Sequence, residues 1–522
     1  MRTDVMPMPI CSINPASGEV LREFAPAPEE EVRAAVERAR AAQPAWQDLS
    51  STGRIEVLRR FRNILHGNKG EVARLITSES GKPYVEALLT EVLVVLDTAQ
   101  FLIANASRLL RDERIGHANL VMKAKRGWLR HEPYGVVGII SPWNYPFAIP
   151  ATEALAALVA GNAVIIKPSE FTTLSALELQ TLLRAAGLKE DLLQVLPGAG
   201  ASGAALVNSQ IDKLIFTGSV ASGKRVAQAA AARLLPVVLE LGGKDAMLVL
   251  DDADVAVASS AAVWGAFVNA GQTCLSVERC YVHRNLYEPF LAALVEKTGK
   301  LRVGNGLEPR AEVGPLIHRQ QLQIVERQVE EARQCGARVL AGGMRLAQLG
   351  PNYYAPTVLA DVNHEMRIMR EETFGPVLPV MAFDNDGDAV RLANDSEFGL
   401  AASIWTRDRS RGDSLAARLE AGTVMVNDVV SCFGISEAPH GGFKFSGLGR
   451  THGRFGLQEM VRVKYVDSDL LPRVRKVWWY GYGPEFSRQM EGFVDFLFSR
   501  RWRARLAGGM TALKAYIRPG RL

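Results

Sequence analysis

The chain is poor in cysteine, with five thiols among 522 residues: Cys11, Cys274, Cys280, Cys335 and Cys432. They are odd in number, scattered and without metal-ligand spacing. Neither a disulfide framework nor a metal site is therefore expected, and the thiols read as reduced. Excess charge of one sign is also scarce: 61 Lys+Arg against 56 Asp+Glu leaves +5, which gives no reason to invoke nucleic acid over the whole chain. The opening stretch MRTDVMPMPICSINPASGEV contains no apolar run behind a basic start, so a cytoplasmic location is expected rather than secretion. No internal repeat or low-complexity linker interrupts the sequence. The remainder is an ordinary globular composition, 48% hydrophobic and 22% charged, long enough for two or three domains.

Residues 28 to 111 read as helical, with apolar positions at helical spacing in EEEVRAAVERARAAQPAW and EVLVVLDTAQFLI. From residue 134 the pattern changes. Short apolar runs (GVVGIIS, NAVIIKPS, LLQVLPG, DKLIFTGS, PVVLELGG) alternate with helical stretches such as ATEALAALVAG and ASGKRVAQAAAARL. Strands that are apolar on both faces, alternating with helices, predict a doubly wound α/β domain with a parallel sheet. Such sheets bind ligands at the carboxyl ends of their strands.

One such end is IFTGSVASGKRV, residues 215 to 226. Gly218, Gly223 and Lys224 nearly complete a triphosphate loop, but Arg225 stands where that loop needs a magnesium-binding hydroxyl. A nucleotide hydrolase is thereby disfavoured. Two readings stay open from the residues alone: a strand-to-helix turn capped by Ser219, or a phosphate site at a helix N-terminus.

Seven motifs occur in one order: PWNYPF (142–147), GNAVIIKPSE (161–170), FTGS (216–219), ELGGKD (240–245), GQTC (271–274), EETFGPV (371–377) and GGFKFSGLGR (441–450). Together they closely resemble the aldehyde dehydrogenase superfamily over roughly residues 12 to 468. The resemblance implies a variant Rossmann cofactor domain (1–117 and 134–242), an α/β catalytic domain (243–441) and a small oligomerisation element (118–133 and 460–468). A homodimer or homotetramer and an NAD-dependent oxidation of an aldehyde to its acid are implied with it.

The same resemblance assigns roles residue by residue. Cys274 matches the nucleophile, and a thiolate attacks an aldehyde carbon to give a thiohemiacetal and then a thioester. Asn144 matches the side-chain donor to the oxyanion. Glu240 matches the base that activates water, with a salt bridge to Lys244 as its plain structural alternative. Cys280 matches no catalytic position and reads as packing. Lys167, Ser169 and Glu170 resemble the adenosine-ribose contacts. Trp143 and Ser219 resemble the pyrophosphate contacts, and Gly218, Leu241 and Gly242 match further cofactor-binding positions. Glu372 and Phe374 resemble the residues that place the nicotinamide ribose and ring. The carboxylate of Glu170 repels a 2′-phosphate, so NAD is expected ahead of NADP, without excluding it.

Neither Arg nor Lys flanks Cys274 in NAGQTCLSV, which argues against a dicarboxylic semialdehyde and for an apolar aliphatic or aromatic aldehyde. A semialdehyde dehydrogenase and a non-catalytic scaffold of the same fold are the alternatives. The expected tunnel helix carries Tyr145, Ile149, Thr152 and Glu153, and Thr152 stands where relatives carry a bulky aromatic, suggesting a wider entrance. His440 replaces another aromatic, and either packs or touches substrate.

Residues 469 to 522 depart most from the family. From Leu470 onward 11 Lys+Arg face 3 Asp+Glu, a net of +8 that exceeds the +5 of the whole chain. No uncharged apolar run there approaches the ~18 residues that cross a bilayer. Phe486, Met490, Phe493, Leu497, Trp502 and Leu506 recur at helical spacing and predict a basic amphipathic helix. It either packs on the enzyme or lies on an anionic membrane surface.

Overall fold

The computed structural model describes residues 9–474, 476 and 478–517. The first eight residues of the expected cofactor portion and the last five of the C-terminal extension lie outside the described residues. The chain divides into two compact units, residues 1–111 with 131–463, and residues 112–130 with 464–522.

The first unit is α/β, as expected. One sheet places its strands in the order Gly447–Leu448, Val237–Glu240, Lys213–Thr217, Val136–Ile140, Ala163–Lys167, Leu193–Val195. All neighbours among the last five are parallel, and Gly447–Leu448 is antiparallel to Val237–Glu240. Every residue of Val136–Ile140 and Ala163–Lys167 is buried, which accounts for their unbroken apolar runs. The strand order reverses between Val136–Ile140 and Lys213–Thr217, so the loops that follow these two strands flank a crevice at their carboxyl ends. Those loops carry Trp143-Asn144 and Gly218-Ser219.

A second sheet of seven strands runs Arg338–Ala341, Thr357–Ala360, Val377–Phe383, Val277–His283, Asp245–Val249, Ala401–Trp405, Thr423–Val426. Its central strand is flanked by parallel partners on both sides. Two N-terminal helices, Ser51–Ser80 and the apolar run Tyr84–Leu109, pack their buried faces into the core of the first sheet. The latter is 26 residues long and apolar enough to cross a membrane by length and composition, yet Val95, Ala99 and Leu102 are core residues.

The second unit holds a three-stranded sheet with Val461–Asp469 beside Lys125–Pro133 and then Glu113–Ile115. Its remainder corrects the single helix expected of the tail. The chain turns extended at Ser499, and two helices, Pro484–Phe498 and Trp502–Ile517, form a hairpin. Glycines allow the close crossing: a Cβ on Gly508 would lie 2.2 Å from the Gly492 carbonyl oxygen. Phe486, Met490, Phe493 and Leu497 are half-buried by this pairing, whereas Trp502 and Leu506 stay exposed.

Candidate active site

The crevice at the strand-order reversal is a cleft of about 490 Å³ lined by Trp143, Lys167, Ser169, Glu170, Gly218, Ser219 and Arg225 among others. Ser219 caps the helix Val220–Ala231, its hydroxyl accepting from the Ser222 N–H at 3.3 Å. The first turn of that helix borders the same cleft, so the capped turn does not exclude a phosphate there: its free amides and positive end face the cleft. Lys167 donates to the Gly198 carbonyl at 3.3 Å, and burial pulls its pKa down while Glu170 opposes the shift. Size and donor set suit a dinucleotide.

A second cavity of about 300 Å³ adjoins Trp143, Gly218 and Ser219 and is also lined by Asn144, Glu240, Leu241, Gly242, Cys274, Glu372 and Phe374. Residues spread over 230 positions of sequence thus meet around one space. Gly242 is required there, because a Cβ would lie 2.5 Å from Glu372 Oε2. Glu372 accepts from the Gly243 N–H at 3.1 Å, and burial followed by the charge of Glu278 pushes it up to about 8. Phe374 adopts a positive φ of 52° and meets Trp143 edge-on at 5.3 Å. Glu278 holds that strained loop by accepting from the Thr373 and Phe374 N–H groups at 2.8 and 2.9 Å. Lys244 is the buried partner of Glu278 at 2.6 Å, which removes the alternative of a Lys244–Glu240 salt bridge.

Asn144 is fixed from several directions. Its Nδ2 donates to the Gln272 carbonyl at 3.0 Å, two residues before Cys274, and its own carbonyl accepts from Asn269 Nδ2 at 3.0 Å and from Lys82 Nζ at 2.7 Å. Lys82 and Glu91 form a fully buried ion pair at 2.5 Å. Glu91 also accepts from the Phe147 and Ala148 N–H groups at the start of the next helix. Asn269 and Ala270 carry positive φ of 53° and 56° on the approach to Cys274, and Glu86 accepts the Asn269 N–H at 2.9 Å. Local strain of this kind persists only where its surroundings over-determine it. Lys82, Glu86 and Glu91 were not singled out from sequence, where they read as charges on a helix. Their only signal was acidic and basic residues among helical apolar positions.

Cys274 also lines a third cavity, a channel of about 160 Å³ on its other side, walled mainly by Leu89, Val94, Tyr145, Ile149, Trp264, Leu275, Val430 and Phe433. Tyr145 and Ile149 stand in the channel wall as expected. Thr152 and Glu153 do not: they share the helix face of Ile149 but sit one turn, about 5 Å, further along the axis, and border a separate small void with Thr451 and His452. The inference of a wider entrance from Thr152 is therefore withdrawn. Cys280 is fully buried in the strand Val277–His283, consistent with packing.

Burial drives the Cys274 thiol pKa well up, with Asp245, Glu372 and Glu240 adding to it. Glu240 ends its strand, and neither carboxylate oxygen has a hydrogen-bond partner among the described residues. Burial raises its pKa well above the usual range, Glu153 adds to the shift and Arg450 opposes it. His440 does not line the channel; its Nε2 lies 3.7 Å from Glu240 Oε2. The geometry therefore joins a thiol, a carboxamide and an unpartnered carboxyl between a dinucleotide cleft and an apolar channel. Residues 5–466 match the model of the Aldehyde dehydrogenase family.

The chain belongs to the aldehyde dehydrogenase family. It is similar to a 4,4'-diapolycopene aldehyde oxidase of Methylomonas sp, 39% identical over 94% of this chain and 91% of that protein. The solved structure of an aldehyde dehydrogenase from Bacillus cereus in complex with NAD+ is similar at a TM-score of 0.85, with 35% identity over 89% of this chain and 94% of that one. An E. coli NADP-dependent enzyme gives the same TM-score at 36% identity, covering 89% and 95%. This protein is an NAD(P)-dependent aldehyde dehydrogenase.

Proposed function

We propose that this aldehyde dehydrogenase oxidises an apolar aliphatic or aromatic aldehyde to the carboxylic acid, with Cys274 as nucleophile. The channel carries the reading: Cys274 lines it, its walls are mainly apolar, and no charged side chain lines it among the described residues. A substrate carboxylate would be desolvated there without a partner, which disfavours semialdehydes. The relative named for 4,4'-diapolycopene aldehyde supports the same class.

The chemistry follows from the placed groups. The Cys274 thiol gives up its proton to water and the sulfur adds to the aldehyde carbon, while Asn144 and the Cys274 N–H donate to the oxyanion. Bound NAD supplies the hydride acceptor. Loss of the hydride leaves a thioester on Cys274. Glu240 then takes a proton from the water that attacks the thioester carbon, and the sulfur departs as the acid is released. Lys167, Ser169 and Glu170 would hold the adenosine ribose. Trp143, Gly218 and Ser219 would hold the pyrophosphate, with Leu241 and Gly242 flanking it, and Glu372 and Phe374 would place the nicotinamide ribose and ring. NAD is preferred over NADP through Glu170. We assign the cofactor domain to 1–117 and 134–242, the catalytic domain to 243–441 and the oligomerisation element to 118–133 and 460–468, in a cytoplasmic homodimer or homotetramer.

NADH formation by the purified protein with long, short, aromatic and semialdehyde substrates tests this. Apolar aldehydes should rank ahead of semialdehydes and Cys274→Ala should abolish turnover. A preference for semialdehydes, or turnover that survives the substitution, would overturn it.

A second reading concerns the C-terminal hairpin. Trp502, Leu506, Met510 and Leu513 form a stripe at helical spacing, 66%, 59%, 66% and 59% exposed. Arg500, Arg501, Arg503 and Arg505 stand beside it in sequence. The match to the Methylomonas relative spans 492 residues and so runs into this extension. Exposed apolar area among arginines suits an anionic membrane surface. Liposomes containing anionic lipid should co-sediment the full chain in a salt-sensitive manner. Equal sedimentation of a chain ending at Ser468 would refute this.

A further inference from the structure

The channel of about 160 Å³ is smaller than the roughly 300–1,000 Å³ of pockets that enclose a drug-sized ligand. It can take the aldehyde end of a long chain, and the rest of that chain must emerge. Leu89 and Trp264 line the channel and are nevertheless 56% and 44% exposed, which places them on its rim. Val85 and Leu93, four residues to either side of Leu89, are 59% and 53% exposed. Ile435 is 48% exposed and directly follows Gly434 of the channel wall.

Single exposed apolar residues are ordinary, but several around one opening mark a binding surface. The rim is also built locally. Leu89 lies in a π-helical turn, Leu88–Val92, inside the helix run Tyr84–Leu109. Such turns insert one extra residue, re-aim the side chains beyond them and occur frequently at functional sites. The core takes Val95, Ala99 and Leu102 from the same run, leaving the Leu89 face free.

We infer that this apolar collar is a subsite for the distal hydrocarbon chain of the aldehyde, so that the enzyme selects substrates longer than the channel can enclose. The inference rests on the proposed apolar substrate and names its length class. The collar is continuous with the channel wall through Leu89 and Trp264, and its five side chains carry no charge. Each methylene that lies on such a half-open surface should raise kcat/KM by about twofold, less than full burial would give.

The test is kcat/KM for straight-chain aldehydes from propanal to hexadecanal, measured on the full enzyme and on Val85→Ser/Leu93→Ser, neither of which lines the channel. The wild type should keep improving beyond octanal, and the variant should lose about tenfold in the hexadecanal-to-propanal ratio, through KM rather than kcat. An unchanged ratio in the variant, or a wild-type plateau at short lengths, would overturn the subsite while leaving the apolar-aldehyde reading standing. Preference of the wild type for semialdehydes would overturn both. Sedimentation of both proteins separates another occupant: a variant that dissociates with its ratio intact would make the collar a subunit contact.

Discussion

His440 Nε2 lies 3.7 Å from Glu240 Oε2, and both side chains are buried. Burial, with His452 and Arg450 adding to it, pulls the His440 imidazole down to about 3. It is therefore neutral throughout the working pH range and presents a dipole, not a charge, to the carboxyl. His440→Phe removes the nearest polar group from a carboxylate that has no other partner. Losing one polar interaction of about 1 kcal/mol lowers the rate about fivefold. The expected outcome is a fall of that size in kcat at neutral pH, with the rising limb moved to higher pH. His440→Asn should restore part of it, and steady-state pH profiles of the three proteins decide.

The Lys82–Glu91 pair supports the Asn144 loop from a helix remote in sequence. Lys82→Met would leave Glu91 buried without its cation, a loss of about 3–5 kcal/mol. A lower thermal midpoint is expected, together with reduced kcat because Asn144 loses a partner. Lys82→Met/Glu91→Gln should recover most of the midpoint in differential scanning calorimetry and less of the activity.

Asp245 stands buried beside Gly243, accepting from the Ala401 N–H at 3.0 Å. After burial, it heads the groups that raise the Cys274 pKa. Asp245→Asn keeps the acceptor and removes the charge, so the thiolate should form at lower pH. Iodoacetamide alkylation of Cys274, followed against pH, should shift toward acid. A shift toward alkali would contradict the assigned direction.

Glu170 and Arg225 line the same cleft with opposite charges. Glu170→Gln should raise the NADP-to-NAD ratio of kcat/KM by removing repulsion of a 2′-phosphate. Arg225→Gln should lower it, if the guanidinium is the group that meets that phosphate. Each change should be about fivefold at low salt, where a charge pair near a surface is worth about 1 kcal/mol. Initial rates with both cofactors measure it.

The aldehyde dehydrogenase architecture was legible because its signals are local. In each continuous apolar strand, each helical periodicity and each of the seven short motifs the residues that carry the signal lie within a few positions of one another, and backbone geometry turns such patterns directly into elements. Ser219 as a cap and Cys280 as a core residue were readable for the same reason. The tail was half legible: its charge and apolar spacing were plain, but the turn at Ser499 depends on two helices finding each other across Gly492 and Gly508.

Tertiary structure decided which face each of these residues presents. One helical turn, about 5 Å along the axis, separates Ile149 in the channel from Thr152 outside it, and no alignment of motifs shows where the channel stops. Lys82, Glu86 and Glu91 became supports of the site only when folding brought the loop at Lys82 and the helix run after it against the Asn144 loop. The composition of Cys274 and its neighbours named a chemistry. Long-range packing then set the low-dielectric surroundings that push the pKa values of its thiol and of Glu240 upward, and it closed a channel whose apolar rim is assembled from three separate segments.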